Sequence, residues 1–116
     1  MPYNLTDRII EKQKADRERE RRQVLSSVRD ILEELAPKYG FFKAYIFGSI
    51  VKQERFRRNS DVDIAVFDLN DKYFFQLMAE ISGRLERNVE ICQMETIDER
   101  LRKSIEAEGV LWKRRE

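Results

Sequence analysis

The sequence predicts a mixed α/β (α+β) domain, a small mixed sheet flanked by helices, with a long charged helix ahead of it. Three observations carry that expectation. Short stretches of strand character recur at 43–48, 61–68 and 88–94. Stretches with helical spacing of apolar residues separate and follow them, at 72–87 and 96–109. Alternation of this kind argues a layered sheet-and-helix arrangement. Residues 4–36 read as one long helix with two unlike halves.

That helix starts at Asn4 or Thr6, both good N-caps. EKQKADRERERRQ (11–23) has Ala15 as its only apolar residue, so no face of it can join a core. Val24, Leu25, Val28, Ile31, Leu32 and Leu35 then fall at helical spacing and form an apolar stripe. Pro37 and Gly40 are expected to end the helix. The second half should pack on the domain and the first should project or fray. KAYIFG (43–48) reads as a strand closing on Gly48, and SIVKQERF (49–56) as a short helix opening on Ser49. RRNS (57–60) is a turn, and DVDIAVFD (61–68) alternates as a second strand. KYFFQLMAEISGRLER (72–87) carries a helical stripe at Phe74, Leu77, Met78, Ile81 and Leu85. NVEICQM (88–94) is a third strand. TIDERLRKSIEAEG (96–109) is a helix capped by Thr96 and stopped by Gly109. VLWKRRE is a tail with Val110–Trp112 docked, where Trp112 is a packing anchor. Residues 1–39 are thus a helical extension whose second half packs on the core, and 40–116 are the core domain.

With 116 residues, the chain has the length of one domain. Charged residues reach 39%, yet 23 Lys+Arg nearly cancel 22 Asp+Glu. A net charge of +1 exerts no global pull on nucleic acid or on an anionic membrane. The absence of histidine excludes every mechanism that needs imidazole. Cys92 is the only cysteine, which excludes an internal disulfide and a cysteine-built metal site; it reads as a small core filler. No apolar run approaches a membrane span, and there is no signal-peptide core, so a soluble cytoplasmic protein is expected.

The chemistry concentrates on strand 61–68. Residues two apart in a strand share a face, so Asp61 and Asp63 point the same way, with Cα atoms roughly 6.5–7 Å apart. Val62, Ile64 and Val66 take the other face and can bury. Neighbouring carboxylates repel unless a cation lies between them, and Mg²⁺ is commonly held by one or two carboxylates plus substrate phosphates. Gly48-Ser49 sits at a strand-to-helix junction, where free N–H groups and a hydroxyl suit phosphate oxygens. Glu90 shares a face with Cys92, opposite Val89 and Ile91, and a place beside the two aspartates would explain an acid in so apolar a strand. The loop KQERFRR (52–58) carries four cations against Glu54 beside this region.

FGS (47–49), SDVDIAVF (60–67) and NVEI (88–91) together resemble the minimal nucleotidyltransferases of the polymerase-β-type superfamily. The resemblance spans about residues 40–112, closing on EGVLW (108–112). It implies a polymerase-β-like fold in which Gly48, Ser49, Lys52 and Ser60 bind the nucleotide. It implies that Asp61, Asp63 and Glu90 are catalytic and hold Mg²⁺, two ions in all, with ATP as substrate. Glu90 would ligate metal at the acceptor side or help deprotonate the attacking hydroxyl. Three departures stand out. Eleven residues separate Ser49 from Asp61, where the family usually has about ten. Lys52-Gln53 replace a common Arg-Gly, and Glu90 replaces the more usual Asp. Small stand-alone members are often encoded beside a HEPN-domain toxin and act as its antitoxin by transferring AMP to a tyrosine. That role, with a HEPN-domain partner, ATP and Mg²⁺, is the leading expectation here, and the acceptor is expected on another chain. The alternatives are an aminoglycoside-type small-molecule nucleotidyltransferase and a non-catalytic partner-binding antitoxin. Run 11–23 would then dock a partner or a second copy. Direct nucleic-acid binding is disfavoured by the balanced charge.

Overall fold

The computed structural model describes residues 4–115; residues 1–3 of the helical extension and Glu116 of the expected tail lie outside the described residues. Helix α1 (Leu5–Tyr39) runs unbroken for 35 residues. Asn4, not Thr6, caps it: the Asn4 carboxamide accepts from Asp7 N–H at 2.9 Å, and the Asp7 carboxylate accepts from Asn4 N–H at 3.3 Å. This reciprocal pair satisfies two N-terminal donors at once. Pro37 does not end the helix. It removes only the N–H that would have met the Glu33 carbonyl, while Ala36 and Tyr39 on either side are buried. Gly40 ends it, in the left-handed conformation (φ 78°) with its N–H on Ala36 C=O at 2.8 Å.

The expected stripe is the buried one: Val28, Ile31, Leu32 and Leu35 lie in the main core, with Val24 and Leu25 packed against it. The first half of α1 behaves differently from expectation. Its opening turns expose Leu5, Ile9 and Ile10. Nearer the core, however, Glu18, Glu20 and Arg21 are half-buried and dock through polar contacts, Arg21 donating to Ile50 C=O at 2.8 Å. A face without apolar residues can still bind when its charges meet partners.

Four strands form one sheet in the order β3-β2-β1-β4. These are β1 (Lys43–Phe47), β2 (Val62–Val66), β3 (Val89–Gln93) and β4 (Val110–Lys113). β1 pairs antiparallel with β2 and β4, whereas β2 and β3 run parallel. The parallel pair is joined by a 3-10 turn (Asp71–Tyr73) and helix α2 (Phe74–Leu85), shorter than the expected 72–87. Strand alternation splits the side chains between two faces. Ala44, Ile46, Val62, Ile64, Val66, Val89 and Ile91 face α1 and α2. Tyr45, Phe47, Ala65 and Cys92 face the other way, where Ile105 of α3 (Glu99–Glu108) covers part of the sheet. The rest of that second face stays open.

Three further expectations are corrected. The helix expected at 49–56 is a single 3-10 turn, Gly48–Val51. Asp98 rather than Thr96 caps α3, accepting from Leu101 N–H at 2.8 Å. The tail is a strand: β4 pairs Trp112 with Ala44, and Trp112 packs edge-on against Phe41 at 5.8 Å as an anchor. Gly109 lies between α3 and β4 with an extended backbone, not a left-handed one. Its glycine is needed for space, because a Cβ there would sit 2.6 Å from Ile105 C=O and 3.3 Å from Ile46 C=O.

Two carboxylates fasten α1. Arg21, and then Arg22, hold the Glu18 carboxyl down at about 2. On α2, the Tyr39 hydroxyl donates to Glu80 at 2.5 Å, and with Lys38 it lowers that carboxyl to about 2 as well. Both folded values lie below the unfolded 4.5, so both contributions are complete above that pH and are lost as pH falls toward about 2. Thermal melts followed by circular dichroism should therefore show Tm falling steeply over that window, less so in a Glu18→Gln, Glu80→Gln variant. Gly109→Ala should destabilise the fold by about 1–3 kcal/mol, read as a lower urea midpoint at unchanged slope.

Candidate active site

β2 places the central carboxylate. Asp63 pairs with Phe47 on one side and, in the parallel register, with Glu90 on the other. Its side chain leaves the sheet on the open face, while Val62 and Ile64 are fully buried opposite. Asp61 lies just ahead of the strand and is exposed, as is Glu90 on edge strand β3. The three acids foreseen from the sequence therefore gather on one face of the sheet.

Asp63 is half-buried, and its carboxyl is pushed up by that burial first and then by the charges of Asp61 and Glu90. Among the described residues no hydrogen bond donor and no cation meets its carboxylate. Gly48 closes over it. The glycine has φ 85°, and a Cβ on it would overlap Asp63 Oδ2 and lie 3.3 Å from its Cγ. Only a residue without a side chain fits both the backbone conformation and the contact. The Cys92 thiol, on the same face, is pushed up by burial and by Asp63, which keeps it protonated and inert.

Asp61 has a partner that sequence reasoning missed. Asn88 donates its amide N–H to Asp61 Oδ1 at 3.1 Å. The signal was the parallel register: Val62 pairs with Val89, so the residues preceding each become neighbours. Ser60 serves the turn before Asp61. Its hydroxyl accepts from Arg57 N–H at 2.8 Å, and its own N–H donates to Arg57 C=O at 3.0 Å. Ser49 opens the 3-10 turn after Gly48, and its carbonyl accepts from Lys52 N–H at 3.0 Å. The Lys52 ammonium pairs with Glu108 at 3.1 Å. Both members of that pair are well exposed, so it binds weakly and can yield to a phosphate. Loop 50–60 contains a left-handed Glu54 (φ 68°), whose carbonyl accepts from the Arg57 guanidinium at 2.5 Å.

The donor set fits a hard divalent cation: carboxylate oxygens with no nitrogen or sulfur ligand among them and no counter-cation on Asp63. Among the described residues no three His, Cys, Asp or Glu side chains come together as a group that could hold a metal ion by themselves, Asp61, Asp63 and Glu90 included. An ion here would share its coordination with water or with phosphate oxygens, as Mg²⁺ commonly does. Three carboxylates repel a polyphosphate by themselves, and a cation held between them would supply the charge that such a ligand needs on this open sheet face. No helix among the described residues is long and apolar enough to cross a membrane.

Residues 29–116 match the family described as polymerase beta, nucleotidyltransferase. No curated protein matches the chain. Among solved structures, the chain is similar to one described as a minimal nucleotidyltransferase, with TM-score 0.65 and 24% identity over 76% of this chain and 92% of that one. It is similar to a chain of a toxin–antitoxin crystal structure with AMP-PNP, with TM-score 0.62 and 23% identity over 72% of this chain and 70% of that one. A third likeness is to a chain of the complex between tri-AMPylated Shewanella oneidensis HEPN toxin and MNT antitoxin, with TM-score 0.57 and 19% identity over 78% and 70% of the two chains. At these identities the likeness is one of fold. The family match covers most of the chain and contains Gly48, Asp61, Asp63 and Glu90, so this chain belongs to the polymerase-β nucleotidyltransferase family.

Proposed function

We propose that this chain is a Mg²⁺-dependent nucleotidyltransferase that moves AMP from ATP to a tyrosine hydroxyl on a HEPN-domain toxin, and so acts as the antitoxin of the pair. The observation that carries the catalytic part is Asp63: a half-buried carboxylate beside Asp61 and Glu90, under Gly48, with no cation among the described residues. The partner reading is supported by fold likeness to chains of toxin–antitoxin complexes, one with AMP-PNP and one with an AMPylated HEPN toxin.

Asp61 and Asp63 would hold the metal, with Glu90 toward the acceptor. When bound, Mg²⁺ supplies charge neutralisation for the triphosphate and for the oxygens that attack and leave. Gly48 lets the backbone approach the phosphates closely, and Ser49 adds a hydroxyl donor at the start of the turn. Asn88 holds Asp61 in place. Lys52 would exchange Glu108 for a phosphate oxygen. Glu90 is exposed on the same face, where it can accept the proton of the acceptor hydroxyl. The acceptor oxygen forms a new bond to the α-phosphorus, the bond to the bridging oxygen breaks, and pyrophosphate departs with that electron pair. The open side of the sheet beyond Glu90 is where an acceptor from another chain would enter.

The direct assay is transfer of label from α-labelled ATP to the HEPN protein encoded by a neighbouring gene. Label on a tyrosine, dependent on Mg²⁺ and reduced by about a hundredfold or more in Asp61→Ala, Asp63→Ala, supports the proposal. Tight binding and neutralisation without transfer of any of the four nucleotides would instead identify a non-catalytic antitoxin. Stability supplies a second expectation. Because Asp63 is raised above 3.8 by burial and by its acidic neighbours, its ionised form costs stability at neutral pH. Asp63→Asn should therefore raise Tm by on the order of a few degrees in chelator-treated protein, although it removes the central carboxylate.

A further inference from the structure

The family match begins at residue 29, yet residues 18–21 reach both loops of the candidate site. Arg21 donates to Ile50 C=O at 2.8 Å, inside the 3-10 turn that opens with Gly48 and Ser49. Arg21 is itself aimed by Glu18 through two parallel bonds of 2.9 and 2.6 Å, and its side chain is only 14% exposed. The residue just before Arg21, Glu20, accepts from Arg87 at 3.0 Å.

Arg87 is the other half of the device. Its Nη1 donates to three carbonyls of one turn, those of Arg57, Arg58 and Ser60, at 3.2, 2.8 and 3.0 Å. Its guanidinium stacks on Phe56 at 4.6 Å, and 12% of the side chain is exposed. Ser60 immediately precedes Asp61, and Asn88, which bonds Asp61, immediately follows Arg87. Between Val51 and Val62 the chain crosses a loop with no strand pairing. Phe56 is its only buried side chain, so these charge-assisted bonds decide where its end lies.

We infer that Glu20, Arg21 and Arg87 are positioning residues, a clamp by which α1 holds Gly48–Ser49 and Ser60–Asp61 in the mutual placement the site requires. Neither end of the clamp touches the acids. Arg21 fixes the phosphate side through the Ile50 carbonyl, and Glu20 fixes the Asp61 side through Arg87. The catalytic consequence rests on the nucleotidyl transfer proposed above; the mechanical one does not.

The test compares hydrogen–deuterium exchange of the full chain with Glu20→Ala, Glu20→Gln and Arg21→Ala. Glu20→Ala should speed amide exchange over residues 57–63, and Arg21→Ala over 48–52, each by about tenfold or more. Amides of α2 and β1 should exchange as before, and Glu20→Gln, which keeps an acceptor, should fall between. In the transfer assay, Glu20→Ala should raise the half-saturating Mg²⁺ concentration and Arg21→Ala the KM for ATP, each severalfold, with kcat changed less. Unchanged exchange in both loops, or faster exchange spread evenly over the whole protein, overturns the clamp. If the wild-type chain transfers nothing to its partner, the proposed function fails while exchange still decides the clamp.

Discussion

A carboxylate held half out of water against two others and under a glycine costs stability, and the architecture around Asp63 exists at that cost. Burial and the charges of Asp61 and Glu90 both disfavour its ionised form. The sheet enforces the arrangement. The parallel β2–β3 register sets Glu90 beside Asp63, and fully buried Val62 and Ile64 forbid a one-residue slip that would turn the acid inward. A ligand carrying positive charge would offset that cost, and under the function proposed above the divalent cation and the phosphates it accompanies would do so.

The remainder of the molecule serves to keep that face rigid and accessible. The apolar half of α1 and α2 fill the main core behind the sheet, so the front need not be covered for stability. On the front α3 packs through Ile105 against Ala65 and Met94, with Ile97 beside them, and Asp61 and Glu90 stay exposed. Glu80, bound by Tyr39 and Lys38, ties α1 to α2 at the back. Glu18, through Arg21, ties α1 to the site loop at its other end. The charged run of α1 is thus neither a free arm nor a core helix but a polar brace, ending in projecting turns with Leu5 and Ile9 exposed.

Local signals made much of this legible in the sequence. Period-two alternation in DVDIAVF put both aspartates on one face and the valines behind, and helical spacing marked Val28, Ile31, Leu32 and Leu35 as core. What escaped depends on pairings between distant residues. VLWK is too short and too near charged residues to read as a strand; only its pairing with β1 makes it one. Gly109 does stop α3 as its C-cap, with its N–H on Ile105 C=O at 2.7 Å, but what demands a glycine there is close approach to the Ile105 carbonyl and not a left-handed backbone. Asn88 gains meaning only once β3 is parallel to β2, and the Glu20–Arg87 pair joins residues with no sequence relation. The segment after Ser49 has no helix because Ile50 turns into the core within one 3-10 turn.

The central claim, that Asp63 and its neighbours form a seat for a metal-bound triphosphate, is open to one direct measurement. Calorimetric titration of ATP into the chain would be run with Mg²⁺, with chelator, and with Asp63→Asn in Mg²⁺. Binding that requires Mg²⁺ and is lost in the variant is the predicted result. Binding of equal strength in all three titrations would contradict it, because the nucleotide would then be held without the carboxylate around which the site is built.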